Sequence, residues 1–112
     1  MTPTSRPGHR TFAETLRARV LHGPGKTDRA IRQAAAERAA GGPAMEAPYD
    51  ALARQIGESA DGVTDEQVAS IVQATGSEKA AFEVIAAAAL GAGLLRWQQG
   101  LKVLDEVGNA SA

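Results

Sequence analysis

The chain contains no cysteine. That absence excludes disulfides, thiolate-held zinc, iron–sulfur clusters and every thiol peroxidase or reductase mechanism. Aromatic residues are scarce as well, 4% of 112 residues, although 44% are hydrophobic. The apolar share is therefore mostly alanine, leucine and valine. Such a mixture suits thin, closely packed helices better than sheets, which favour β-branched and aromatic residues. No segment alternates apolar and polar residues with period two, so no strand is expected. There is little net charge, −1 at pH 7, which speaks against a general nucleic-acid binder. The opening "MTPTSRPGHR" has no apolar core of the kind a secretory signal needs. The longest uncharged apolar run, Val84–Leu95, is shorter than a bilayer-spanning helix. A cytoplasmic protein without membrane insertion is the expectation.

What is present fits one small domain. Residues 1–10 read as a flexible arm, 11–108 as a single helical domain and 109–112 as a flexible tail. A core of this size is modest, so stability is expected to draw on self-association. Charge is uneven along the chain. Residues 1–46 carry eight Arg/Lys against four acids, and 47–112 carry four against nine. The two parts can attract each other within one chain or between copies.

About five helices are legible. Thr11 with Glu14 makes a capping-box start, and Phe12, Leu16, Val20 and Leu21 follow at helical spacing to about His22. Gly23 and Pro24 stop that helix. Thr27 or Asp28 caps "RAIRQAAAERAA", whose one large apolar residue is Ile31. Pro48 suits the first turn of a third helix, with Tyr49, Leu52 and Ile56 on one stripe. Thr64 and Gln67 form a second capping box, with Val68, Ile71 and Val72 facing inward, and Gly76 closes that helix. Ser77 caps a last, Ala-rich helix running to about Val107.

The stretch "HGPGKTD", residues 22–28, resembles the tail of a phosphate-binding loop. That loop needs a glycine where Val20 stands, and it needs a preceding strand where the pattern is helical. A turn between helices is the reading, with Lys26 a solvated charge beside the cap. Backbone N–H groups at the second helix would still suit an anion there. His9 and His22 lack metal-ligand spacing, so no metal and no cofactor is expected. In "TDEQVASIVQATGSEKAAFE" the second helix offers Ser77, Glu78, Lys79, alanines and Phe82. A DNA-reading helix would offer basic or amide groups there, so nucleic acid is not the expected partner.

In "FEVIAAAALGAGLLRWQQGLKVL" (82–104), Phe82, Leu90, Leu94, Trp97, Leu101 and Leu104 share a broad face. Ala86, Ala89, Gly93 and Gly100 form a small-residue stripe at its edge, which with Trp97 reads as a core or oligomer seam. Glycine inside a helix costs about 1 kcal/mol relative to alanine, and close packing would offset that. Glu83 lies on the face of Leu90, Leu94 and Leu101. It is either a structural carboxylate at the core edge or a proton-transfer group. Arg96, beside Ala89 and Gly93, pairs with a carboxylate or binds an anion.

Residues 63–101, with their Val63–Glu66 helix start, apolar Val68–Val72, Gly76–Glu78 turn and Ala-rich Phe82–Arg96 helix, resemble the C-terminal part of the alkylhydroperoxidase D-like (carboxymuconolactone decarboxylase) superfamily. The resemblance implies an AhpD-like all-α bundle that assembles as an oligomer. Active peroxidase-type members use a Cys-x-x-Cys pair with a nearby histidine and glutamate, and this chain has no cysteine to place there. The implied protein is therefore a non-redox, self-associating helical module with a structural, interaction or small-molecule-binding role. One alternative is a cysteine-independent lyase or isomerase for a small carboxylate, with Glu83 as base and Arg96 as clamp. Another is a DNA-associated regulator using Arg6 and Arg10.

Overall fold

The structure, a computed structural model, describes the backbone of residues 5–111 and the side chains of 11–108. It is all-α: five helices, with no strand among the described residues. The first, α1, spans Ser5–Arg17 and runs on through a π-helical turn, Ala18–His22. It thus begins before Thr11, and much of the expected arm is helical. Pro7 permits this because it falls in the first turn, where its missing N–H would have had no helical partner. Residues 1–4 of that arm, and Ala112 of the expected tail, lie outside the described residues.

Helices α2 (Arg29–Ala39), α3 (Tyr49–Glu58), α4 (Asp65–Thr75) and α5 (Glu78–Ser111) follow. Their ends obey the local chemistry of the sequence. Thr64 Oγ1 accepts the Gln67 N–H at 3.1 Å and Gln67 Oε1 accepts the Thr64 N–H at 3.0 Å, a complete capping box. Gly76 ends α4 with φ of 88°, a left-handed conformation that favours glycine. Ser77 Oγ accepts the Ala80 N–H at 3.1 Å at the start of α5. Asp28 occupies the cap position of α2, but its side chain makes no capping bond.

Packing is centred on α2, which lies against both α3 and α5, while α4 packs on α5. Two glycines let the backbones meet. A Cβ on Gly91 of α5 would collide with the Ala36 carbonyl of α2, and one on Gly57 of α3 would collide with the Ala39 carbonyl. The core between these helices holds Ala35, Leu52, Ala53, Ile71, Val84 and Ala88. A smaller cluster joins Leu21, Ala36 and Ala87 and ties the end of the first helix to α2 and α5. Each fully buried Leu, Ile or Val contributes roughly 1.5–3 kcal/mol. Tyr49, Leu52 and Ile56 are buried on α3 as their spacing predicts, and Ile71 is buried on α4 between half-buried Val68 and Val72.

The buried face of α5 differs from the predicted one. It is Ala80, Ala81, Val84, Ala87, Ala88, Gly91 and Ala92. Phe82, Trp97 and Leu104, read from the sequence as sharing one broad face, core or oligomer seam, are 68%, 45% and 65% exposed, and Leu90, Leu94 and Leu101 are half-buried. The reason is distance. Where α2 comes within backbone contact of α5 there is room for alanine and glycine and none for a large side chain. Among the described side chains of the first helix only Leu21 is fully buried, Phe12 and Leu16 being exposed.

At about 1.5 Å per residue α5 is roughly 51 Å long, and the molecule measures 53 × 27 × 21 Å. Its radius of gyration, 16.0 Å, exceeds the roughly 13 Å of a compact chain this size. Over its most apolar window α5 has a mean hydropathy of 1.4, with 39% of that window buried in the fold. The helix as a whole is therefore longer and more continuously apolar than the run Val84–Leu95 alone implies.

Candidate functional site

Two places gather the residues that the sequence singles out: the turn between α1 and α2, and the outer face of α5. At the turn, the Glu83 carboxylate sits over "GKT". Oε2 accepts the Lys26 backbone N–H at 2.9 Å. Oε1 accepts the Thr27 backbone N–H at 2.9 Å and the Thr27 hydroxyl at 2.8 Å. Gly25 is needed for this approach, since a Cβ there would lie 2.8 Å from Oε1. The anion suited to these N–H groups is therefore the chain's own carboxylate. The Lys26 N–H is the foremost influence that holds Glu83 below its usual carboxyl range. Desolvation opposes it, and Thr27 and the positive charge of Arg32 add to it.

Arg32 supports the turn from below. It is the buried charged residue of α2, 3% exposed. Its guanidinium donates to the Val20 carbonyl at 2.8 Å and to the Gly23 carbonyl at 2.6 Å. These bonds satisfy carbonyls at the end of the first helix, where no further helical N–H follows. The fork geometry of arginine suits two acceptors at once. A readable signal existed in the sequence: positions 32, 35, 36 and 39 recur at helical spacing, and one of them is charged. Gln33 Nε2 lies 2.8 Å from His22 Nδ1 and adds a tie across the turn.

Glu83 and Arg96 are not brought together. They stand thirteen residues apart on one helix, about 20 Å along its axis, too far for one small carboxylate to touch both. Arg96 does not meet a carboxylate. It donates to the Gly57 carbonyl at 2.7 Å, satisfying an acceptor near the end of α3. A base-and-clamp arrangement of these two side chains on one small substrate is excluded by that separation. Elsewhere, Arg38 Nε lies 2.8 Å from Asp50 Oδ1, which also accepts the Met45 N–H at 2.9 Å. That N–H first, and Arg38 after it, hold the Asp50 carboxyl below its usual range against desolvation.

On the outer face of α5, Ala86 is half-buried, and Ala89, Gly93, Trp97 and Gly100 are exposed. Within the fold's own core the close approach falls on Gly91, on the opposite face of α5. A Cβ on Gly93 or Gly100 would meet nothing within 4 Å among the described residues. Ala89, Leu90, Gly93, Leu94 and Trp97 instead form one wall of an apolar groove, with Phe12, Ala13 and Leu16 of α1 as the other. Phe12 is 69% exposed. Neither Phe12 nor Leu16 was expected at a surface site, because their helical spacing reads equally well as core.

No three His, Asp or Glu side chains gather at metal-binding distances among the described residues. The side chains of Arg6, His9 and Arg10 lie outside the described residues. No family model, no curated protein and no solved structure matches the chain. The class of protein that fold and sites define is an all-α bundle with a self-filled anion turn and an exposed apolar face.

Proposed function

We propose that the chain is a non-redox helical module that acts by self-association. The observation that carries this reading is the apolar outer face of α5. Phe82, Ala89, Gly93, Trp97, Gly100 and Leu104 are all exposed there, beside exposed Phe12 and Leu16. Soluble monomers rarely leave a contiguous apolar surface of this extent without a use for it. A partner would also give glycines at 93 and 100, which otherwise weaken an exposed helix, a packing role. The resemblance of residues 63–101 to the carboxymuconolactone decarboxylase superfamily, which implies an oligomer, adds to this reading.

The anion turn adds to this reading. With Glu83 occupied by three hydrogen bonds and Arg96 by the Gly57 carbonyl, neither candidate catalytic side chain is poised for chemistry. Sedimentation equilibrium from low to high micromolar concentration tests the proposal. A rising weight-average mass that Phe82→Ser lowers is expected. A single monomeric species at every concentration overturns it.

A further inference from the structure

We infer that the exposed stripe of α5 pairs with the same stripe of a second copy, antiparallel, about a two-fold axis at Gly93. This rests on the self-association proposed above and names its partner and register. The stripe positions are Phe82, Ala86, Ala89, Gly93, Trp97, Gly100 and Leu104. Their steps are four, three, four, four, three and four residues, so they stay on one helical face over roughly 33 Å. Steps of three and four are the spacing by which one helix seats against another. None of the seven is charged, and none belongs to the fully buried face that meets α2.

The order of the steps reads the same in both directions, with Gly93 at the centre. An antiparallel copy centred there therefore meets stripe residue with stripe residue throughout. Phe82 faces the partner's Leu104, Ala86 faces the partner's Gly100, Ala89 faces the partner's Trp97, and the two Gly93 positions meet on the axis. An isologous interface requires this self-complementarity, and an arbitrary apolar face does not possess it. Size follows the same rule. Glycine stands on the axis, where two helices come closest, the bulky Trp97 one turn away is opposed by an alanine, and Phe82 and Leu104 lie at the ends, where the helices diverge. Among the described residues a Cβ at position 93 meets nothing within 4 Å, so none of their contacts needs glycine there.

A parallel pairing fails on Trp97. Two indoles would face each other about 6 Å along the helix from the Gly93 contact and hold the backbones apart. In the antiparallel register each Trp97 covers an alanine, and the helix dipoles oppose. The groove between α1 and α5 then receives the partner helix, with Phe12 and Leu16 along its flank. The α5 face is roughly 33 Å long and about 10 Å wide, and Phe12 and Leu16 of α1 widen it at its centre, which places the pairing among small, concentration-dependent interfaces.

The absence of native cysteine makes the register directly testable in the full chain. Gly93→Cys is expected to give a covalent dimer under mild oxidation. A mixture of Ala86→Cys and Gly100→Cys chains is expected to cross-link roughly tenfold or more above either variant alone, because paired thiols meet at millimolar effective concentration. The mixed pair guards against a central cysteine that spreads the helices. A dimer in sedimentation with no gain from mixing and none from Gly93→Cys overturns the register while leaving self-association intact. Monomer alone overturns both. Flotation of monomeric chain with phosphatidylglycerol–phosphatidylcholine vesicles, without cross-linking, assigns the stripe to lipid and overturns the pairing.

Discussion

Glu83 holds Thr27 twice: one carboxylate oxygen accepts both the backbone N–H, at 2.9 Å, and the side-chain hydroxyl, at 2.8 Å. The hydroxyl that would have capped α2 is turned toward the last helix instead. Residues 56 positions apart in sequence are thereby fixed to each other, and the turn is locked onto α5. Removing the carboxylate leaves the Lys26 and Thr27 N–H groups without their partner. Charge-assisted hydrogen bonds contribute more than neutral ones, and partial exposure reduces the difference. Glu83→Ala is expected to cost roughly 1–2 kcal/mol in chemical denaturation, and Glu83→Gln less.

The pH dependence of that contribution has a definite sign. The folded-state pKa of Glu83 is lowered from its ordinary value of 4.5. The stabilisation is therefore complete above about pH 4.5 and is lost as pH falls through the lower folded-state value. The melting temperatures of the native chain and Glu83→Gln are expected to differ at pH 7 and to converge on acidification below 4.5. A constant gap across that range would show that the carboxylate charge is not what holds the turn.

Arg32 gives a second prediction. Both of its terminal nitrogens are used on carbonyls, and the side chain is buried. Arg32→Lys keeps the charge but not the planar fork, so one carbonyl loses its donor and a buried ammonium gains a desolvation cost. The lysine variant is expected to lose roughly 2–4 kcal/mol in urea unfolding. A surface arginine such as Arg54, exposed on α3, is the control, and its replacement by lysine should change stability by less than about 0.5 kcal/mol.

Glycines two residues apart on α5 should respond oppositely. Gly91→Ala gains helix propensity of about 1 kcal/mol but drives a methyl group into the Ala36 carbonyl. A backbone atom cannot swing aside, so a net loss of roughly 1–3 kcal/mol is expected. Gly93→Ala meets nothing within 4 Å among the described residues. At dilutions where the chain is monomeric it should raise the melting temperature, and at high concentration it should weaken association. Circular dichroism melts at two concentrations separate these effects.

Helix ends were legible because each rests on residues close in sequence. Thr64 with Gln67, Gly76 and Ser77 specify their own geometry, and the structure has it. The capping-box pattern of Thr11 with Glu14 puts the start of the first helix at Thr11, but a proline in the first turn is compatible with a helix that begins earlier. The burial of α5 was harder to read. Apolar residues surround it from Val84 to Leu95, so periodicity marks no single face as inward. What selects the inward face is the backbone approach of α2 at Gly91, a tertiary fact. The chemical content of "HGPGKTD" was half legible. The N–H groups suited to an anion were visible, but that Glu83 fills them depends on how α5 crosses the turn.

Trp97 is the chain's one tryptophan and reports directly on the proposed interface. It is 45% exposed in the single chain, so its emission at low concentration should reflect partial contact with water. Pairing places the indole over the partner's Ala89 and removes that water. The emission maximum is then expected to move to shorter wavelength as concentration rises, and acrylamide should quench it less. Phe82→Ser should shift the midpoint of this change to higher concentration without altering the dilute spectrum, because Phe82 lies about 22 Å along the helix from Trp97. If the spectrum stays constant while sedimentation reports a growing mass, the chains associate through a surface that leaves Trp97 as it is in the monomer, and the α5 stripe is not the seam.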